Sequence, residues 1–278
     1  MKPTAKSAKG TLAVIERGGY ESPSGRTVEL RAAIDAAVRG TVLHRPDALE
    51  AMLAALPARA PAPSPRFEVT GETTAEAGRR LAQTEGVARV VALNFASAKN
   101  PGGGFLGGAK AQEEDLARCS ALYPCLCAQP DYYSANRAFG SVLYTDHIIY
   151  SPDVPFFRDE RLELIDEPFL LSMITAPAPN AAAAAQQGLS IGAEITATLQ
   201  RRARMVLTVA AAHEHRCLVL GAWGCGVFRN DAVAVARTFA EALADDRLRG
   251  AFERVVFAVY DRSGDKRAAF ARQFGPAS

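Results

Sequence analysis

The chain is expected to fold as an α/β protein, with a sheet covered by helices on both faces. Three observations point there. From residue 67 onward, short apolar runs suited to buried strands alternate with segments whose apolar residues recur at helical spacing. The 278 residues are 49% hydrophobic, enough for a sizeable core in one large domain or two small ones. Two glycine-rich stretches, 102–108 and 221–226, each directly follow a strand pattern. Ligands of such folds bind outside the carboxyl ends of strands, so these loops are expected to converge on one crevice.

Taken in order, residues 1 to about 56 read as mostly helical, from the stripes Leu12/Ile15, Leu30/Ile34/Val38 and Leu49/Met52/Leu56. Gly18, Gly19 and Ser22 to Gly25 mark a turn between them. Prolines at 57, 61, 63 and 65 make Leu56 to Arg66 an extended surface connector. Phe67 to Val69 reads as a short strand, and Thr73 to Gln83 as a helix with Thr73 or Thr74 at its N-cap. Val90 to Phe95 is expected to be a buried strand, followed by the first glycine loop and a helix from Gln112, where Leu116, Cys119 and Leu122 share a face. Pro124 should kink or end that helix. Ser141 to Tyr150 reads as a strand pair or one long strand, 151–159 as a rigid polar turn, and Phe169 to Thr175 as a buried strand. The alanine run 181–185 is expected to be a loop leading into helix 191–212. Strand 216–220, the second glycine loop, helix 232–244, strand 255–260 and helix 266–274 complete the alternation.

Composition narrows the function classes. Thirty-two basic and 30 acidic residues give a net charge of +2, unlike the strongly basic surface of a general nucleic-acid binder. The five cysteines are odd in number and form no C-x-x-C pair, which speaks against a disulfide framework or a structural zinc site. No apolar run reaches the roughly 18 residues of a membrane span. The apolar patch behind the basic N-terminus, Thr11 to Ile15, is too short for a signal peptide. The expectation is a soluble, cytoplasmic protein with no membrane or direct nucleic-acid partner.

The chemistry concentrates between Asn94 and Tyr123. Gly102, Gly103, Gly104, Gly107 and Gly108 can bring backbone close to a ligand, and the helix behind them offers a positive dipole end. Gly102, Gly104 and Gly107 match a dinucleotide fingerprint, but the helix starts too late and no acidic residue closes a second strand. Gly103 and Gly108 have phosphate-loop spacing, but Ala109 stands where lysine is required. Glu113 and Glu114, adjacent in a first helical turn, point about 100° apart and cannot flank one bond as a separated carboxyl pair does. One is expected to face the reacting centre as both acid and base, and the other to bind or orient. Cys225 has Trp223 where a nucleophile elbow needs glycine, so its backbone N–H, not its thiol, is the expected contribution. His213 and His215 enter the strand before the second loop at the end away from the crevice.

These residues resemble the poly(ADP-ribose) glycohydrolases, whose signature is GGG, six to eight residues, then QEE. Here it stands as Gly102-Gly103-Gly104, seven residues, and Gln112-Glu113-Glu114. The stretch 223–228, WGCGVF, resembles the second glycine loop of the family, and 118–123, 148–159 and 174–180 echo its bacterial branch. The resemblance implies a macrodomain-like three-layer α/β/α fold with a mixed central sheet. It covers residues 66 to about 276, with weaker similarity before them, and the helical stripes make residues 1–65 an extension packed on a catalytic domain over 66–278. It implies hydrolysis of the ribose–ribose bond of poly(ADP-ribose), with ADP-ribose released and no cofactor or metal. The catalytic residue carried over is Glu114, with Glu113 on the ribose hydroxyls. Asn100, Gly102, Gly103, Gly104 and Gln112, with Gly224, Cys225, Gly226, Val227 and Phe228, are the substrate-binding candidates. A macrodomain that reads ADP-ribose without cutting it, and a hydrolase of mono-ADP-ribosylated proteins, are the alternative functions.

Overall fold

A computed structural model describes residues 3–57 and 63–275, so the middle of the proline-rich connector lies outside the described residues. Helix α1 (Pro3–Arg17) opens the chain, followed by a small antiparallel pair, β1 (Gly19–Glu21) and β2 (Thr27–Glu29). Of the turn expected there, Ser22 to Gly25 form the connection of that pair, whereas Gly18 precedes β1 and Gly19 begins it. Helix α2 (Arg31–Gly40), strand β3 (Val42–His44) and helix α3 (Pro46–Ala55) complete the N-terminal region. Two three-residue strands and β3 thus interrupt what the sequence reads as helix. They are too short for a period of two to show.

From residue 66 the alternation is as expected. Strand β4 (Arg66–Thr70) leads to α4 (Thr74–Arg79), whose N-cap Thr73 and Glu76 bond each other's backbone N–H in a capping box. One turn of π-helix, Arg80–Thr84, continues it. Strand β5 (Val90–Phe95) then carries the first glycine loop, with α5 (Gln112–Cys119) behind it. Next come α6 (Leu122–Cys127), α7 (Pro130–Phe139), β6 (Ile148–Arg158), β7 (Leu164–Ala176), α8 (Ala181–Gln186) and α9 (Gly192–Ala212). Strand β8 (Cys217–Leu220), α10 (Ala232–Leu243), β9 (Arg254–Ala258) and α11 (Asp265–Phe274) close the fold.

Seven strands form one mixed sheet in the order β3-β6-β7-β5-β8-β9-β4. Strands β7, β5, β8, β9 and β4 pair in parallel, whereas β6 is antiparallel to both β7 and β3. The alternation along β5 sorts the core into two layers. Val91 and Leu93 pack with residues of α3, α9, α10 and α11 on one face. Val90 and Ala92 pack with residues of α2, α4, α5, α6 and α7 on the other. This is the three-layer α/β/α arrangement with a mixed sheet. Residues 42–44 extend its edge, and α2 and α3 enter opposite layers.

Four local expectations are corrected. Residues 141–147 are irregular, and the strand starts only at Ile148. Buried Arg202 donates to the carbonyls of Leu143, Tyr144 and Pro177, supplying by side chain what a ladder would otherwise supply. Residues 151–159 are mostly strand, not a turn: Pro152 falls in a bulge of the ladder to β7 between Ser151 and Val154, and Pro155 lies in register opposite Leu170. Pro124 does not end α5. The helix stops at Cys119, Ser120 bridges to Phe156, and Pro124 sits in the first turn of α6, where its missing N–H costs nothing. The alanine run is itself helix α8, started by Asn180, whose Oδ1 accepts from the N–H of Ala183.

Candidate active site

Strands β5, β7, β8 and β9 end side by side, so the segments that follow them share one rim of the sheet. The first glycine loop is a tight, self-bonded turn. Gly103 N–H donates to Asn100 O, Phe105 N–H to Gly102 O, and Gly107 and Ala109 N–H to Gly104 O. Gly102 and Gly103 have φ of +65° and +58°, the left-handed region that glycine occupies without a Cβ penalty. Phe105, fully buried, anchors the turn beside Tyr123 at a ring separation of 5.2 Å.

The loop encloses the two glutamates. Gly104 N–H donates to Glu114 Oε1 at 2.8 Å. A Cβ on Gly103 would stand 2.4 Å from Glu114 Oε1 and 3.2 Å from Glu113 Oε2, so only glycine leaves both carboxyl groups in place. Several of the glycine N–H groups expected to face a ligand are therefore turned onto the protein itself. Glu113 is buried, accepting from Ser97 N–H at 2.7 Å on Oε2 and from Asn94 Nδ2 at 3.2 Å on Oε1. Burial, opposed by these donors and reinforced by the neighbouring Glu114, pushes its carboxyl up to about 8. Glu114 is 8% exposed, and among the described residues nothing is bonded to its Oε2. Both lie in the first turn of α5, at the positive end of the helix dipole.

Gln112 is placed differently from a ligand contact. Its Oε1 accepts from Phe95 N–H, and its Nε2 donates to Leu93 O and Thr74 Oγ1. The amide thus clamps the start of α5 to the last residues of β5 and to α4. Asn100 is exposed at the head of the loop, its N–H on Ser97 Oγ.

The second loop runs from Gly221 to Asp231. Trp223 is fully buried and donates Nε1–H to Ala176 O at the end of β7. Gly224 has φ of +72°, and a Cβ there would meet Ala178 Cβ and Asn230 Nδ2 at 2.4 Å. Asn230 Nδ2 donates to Pro179 O and Gly224 O, pinning the loop to the segment after β7. The expected backbone donor at Cys225 is corrected: its N–H closes a turn onto Ala222 O. Its thiol is buried and pushed up to about 12 by desolvation, which leaves it unreactive. Among the described residues, no hydrogen bond starts at the N–H of Gly226, Val227 or Phe228. A Cβ on Gly226 would meet nothing within 4 Å, and Val227 is 76% exposed. Phe228 is half-buried, its ring 6.0 Å from that of Tyr144. The tip of this loop is thus the part that offers free donors and apolar surface.

His213 and His215 lie before β8, at the opposite end of the sheet. There His215 Nδ1 pairs with Arg89 O and its Nε2 with the Tyr150 hydroxyl. Sequence reading did not identify Asn94, Ser97 and Gly104 as positioners of the carboxyl groups. Only the first lies in a strand pattern, and nothing in its spacing marks it.

The comparisons agree with this geometry. Residues 8–159 match the family model described as microbial-type PARG, catalytic domain. No curated protein sequence matches the chain. Among solved structures, the chain is similar to poly(ADP-ribose) glycohydrolase from Thermomonospora curvata, with 47% identity and a TM-score of 0.93 over 99% of this chain and 100% of that one. The same Thermomonospora enzyme bound to the inhibitor ADP-HPD gives 46% identity and a TM-score of 0.90 over 99% and 100%. The glycohydrolase from Deinococcus radiodurans in complex with ADP-ribose gives 52% identity and a TM-score of 0.81 over 86% and 96%. The chain belongs to the microbial-type poly(ADP-ribose) glycohydrolases.

Proposed function

We propose that Glu114 is the general acid and base of poly(ADP-ribose) hydrolysis, the glycosidase reaction of this family. The carrying observation is the cage around it. One carboxyl oxygen is held by Gly104 N–H, Gly103 makes room for that oxygen, and among the described residues the other oxygen has no partner. Glu114 protonates the departing ribose oxygen as the ribose–ribose bond breaks, and an oxocarbenium-like centre forms at the anomeric carbon. The carboxylate then takes a proton from the attacking water, which completes free ADP-ribose and restores the acid.

Glu113 orients the terminal ribose through its hydroxyls. Burial raises its proton affinity, so its own carboxyl holds its proton near neutrality. The N–H groups of Gly226, Val227 and Phe228 receive the diphosphate, and the Phe228 ring packs near the ribose. Gly102 to Gly104 act through the carboxyl groups they position. Gln112 holds the helix that carries them. The substrate is poly(ADP-ribose), the product ADP-ribose, and the expected location the cytoplasm. No helix among the described residues is long and apolar enough to cross a membrane.

The test is incubation of the protein with labelled poly(ADP-ribose) and identification of the products. Free ADP-ribose is expected. Binding of the polymer without release of ADP-ribose would assign the chain to the readers instead.

A further inference from the structure

We infer that helix α1 is a working part of the active site, with Thr11 as a positioning residue for Glu114. This rests on the reading of Glu114 as acid and base. The helix lies more than 90 residues ahead of the glutamates in sequence, yet it supports both sides of their cage.

The first support is polar. Thr11 is fully buried, and its hydroxyl donates to Arg118 O at 2.6 Å, at the last turn of the helix that carries Glu114. The same oxygen accepts from Arg158 Nε at 3.2 Å. Arg118 is itself fully buried. Its guanidinium donates to Asp115 Oδ1 at 2.7 Å and to the carbonyl of Ala109, the residue that closes the glycine turn onto Gly104. One hydroxyl on α1 therefore fixes the residue that ties the carboxyl-bearing helix to the glycine loop.

The second support is apolar. Ala8, Phe105 and Ala117 form a small buried cluster of their own, with Leu12 and Tyr123 packed against it. Phe105 directly follows Gly104, whose N–H holds Glu114, and Ala117 sits on α5 three residues beyond Glu114. This cluster is separate from the two main layers, so α1, the glycine turn and α5 share a local core that the rest of the protein does not supply. A shift of α1 has to be taken up by the turn or by the helix, and both bound the same carboxyl group.

The test uses full-length Thr11→Val, Thr11→Ser and Ala8→Leu proteins. The first keeps the shape and removes the hydroxyl, the second keeps the hydroxyl, and the third drives a wedge between α1 and Phe105. Turnover of poly(ADP-ribose), Kd for ADP-ribose and the folded fraction are measured for each. Thr11→Val and Ala8→Leu are expected to lower kcat at least about tenfold, short of the roughly 10²-fold that a 1 Å misplacement costs. Their Kd for ADP-ribose should stay within about threefold, because the diphosphate donors lie on the second loop, and Thr11→Ser should restore kcat. The inference is overturned if either variant folds and turns over at the parent rate. It is also overturned if kcat falls only in step with the folded fraction, or if Kd worsens as much as kcat. Glu114→Gln assayed alongside separates the two readings: full cleavage by that variant would remove the role of Glu114 itself.

Discussion

Adding one methyl group to Gly103 is the sharpest local perturbation of the cage. Gly103 has φ of +58°, where a side chain costs about 1–2 kcal/mol. The new Cβ would stand 2.4 Å from Glu114 Oε1, about 1 Å short of the 3.4 Å at which ordinary contact begins. It would also stand 3.1 Å from Glu114 Cδ and 3.2 Å from Glu113 Oε2, so neither carboxyl group can give way without disturbing the other. A 1 Å displacement of a reacting group is worth roughly 10²-fold in rate, or about 2.7 kcal/mol of barrier. The backbone term lowers the melting temperature by only a few degrees, on the order of 2–4 °C per kcal/mol for a chain of this size class. Gly103→Ala is therefore expected to remain folded at 25 °C and to lose about two orders of magnitude in kcat for polymer cleavage. Gly107→Ala is the control: a Cβ there meets nothing within 4 Å and its φ is not positive, so cleavage should stay near the parent level. A Gly103→Ala protein that cleaves within twofold of the parent would refute the cage.

Further outcomes are expected. The folded-state proton affinity of Glu113, about 8, lies above the ordinary 4.5, so its proton stabilises the fold fully below pH 4.5. That contribution is lost as pH rises through about 8. Urea midpoints of the parent should fall between pH 5 and 8.5, and Glu113→Gln should flatten the trend. A parent profile no steeper than that of Glu113→Gln would contradict the assignment. Gly224→Ala, with φ of +72° and a Cβ 2.4 Å from Ala178 and Asn230, should displace the second loop. Calorimetry should then show ADP-ribose binding weakened by roughly tenfold, the equivalent of about 1.4 kcal/mol. Cys225→Ala should leave turnover within a few-fold, since its thiol is buried and pushed up to about 12. Loss as deep as that of Glu114→Gln would bring back a thiol mechanism.

Much of the sheet was readable because β5 and β8 are short apolar runs, β8 directly followed by glycine, and α4 carries its capping signal at Thr73 and Glu76. The site was readable as a spacing, GGG and QEE seven residues apart, and its two glutamates do meet the loop. What could not be read is long-range. Residues 141–147 alternate like a strand but are held open by Arg202, some 60 residues away. Residues 151–159 read as a turn because prolines are rare in strands, yet Pro152 falls in the bulge opposite β7 and Pro155 lies in register with Leu170. The direction of the glycine N–H groups also escaped the sequence. Composition shows that backbone can approach something closely, but not that the partner at Gly104 is the protein's own carboxyl group.

The most direct measurement is Glu114→Gln, followed by polymer cleavage and by ADP-ribose titration on the same preparation. The amide keeps the size of the side chain and can still accept from Gly104 N–H, but it has no carboxyl proton to give or regain. Kd for ADP-ribose should change by less than about tenfold, or 1.4 kcal/mol, while turnover falls by roughly 10²–10⁴-fold. Cleavage by Glu114→Gln at the parent rate would contradict the account.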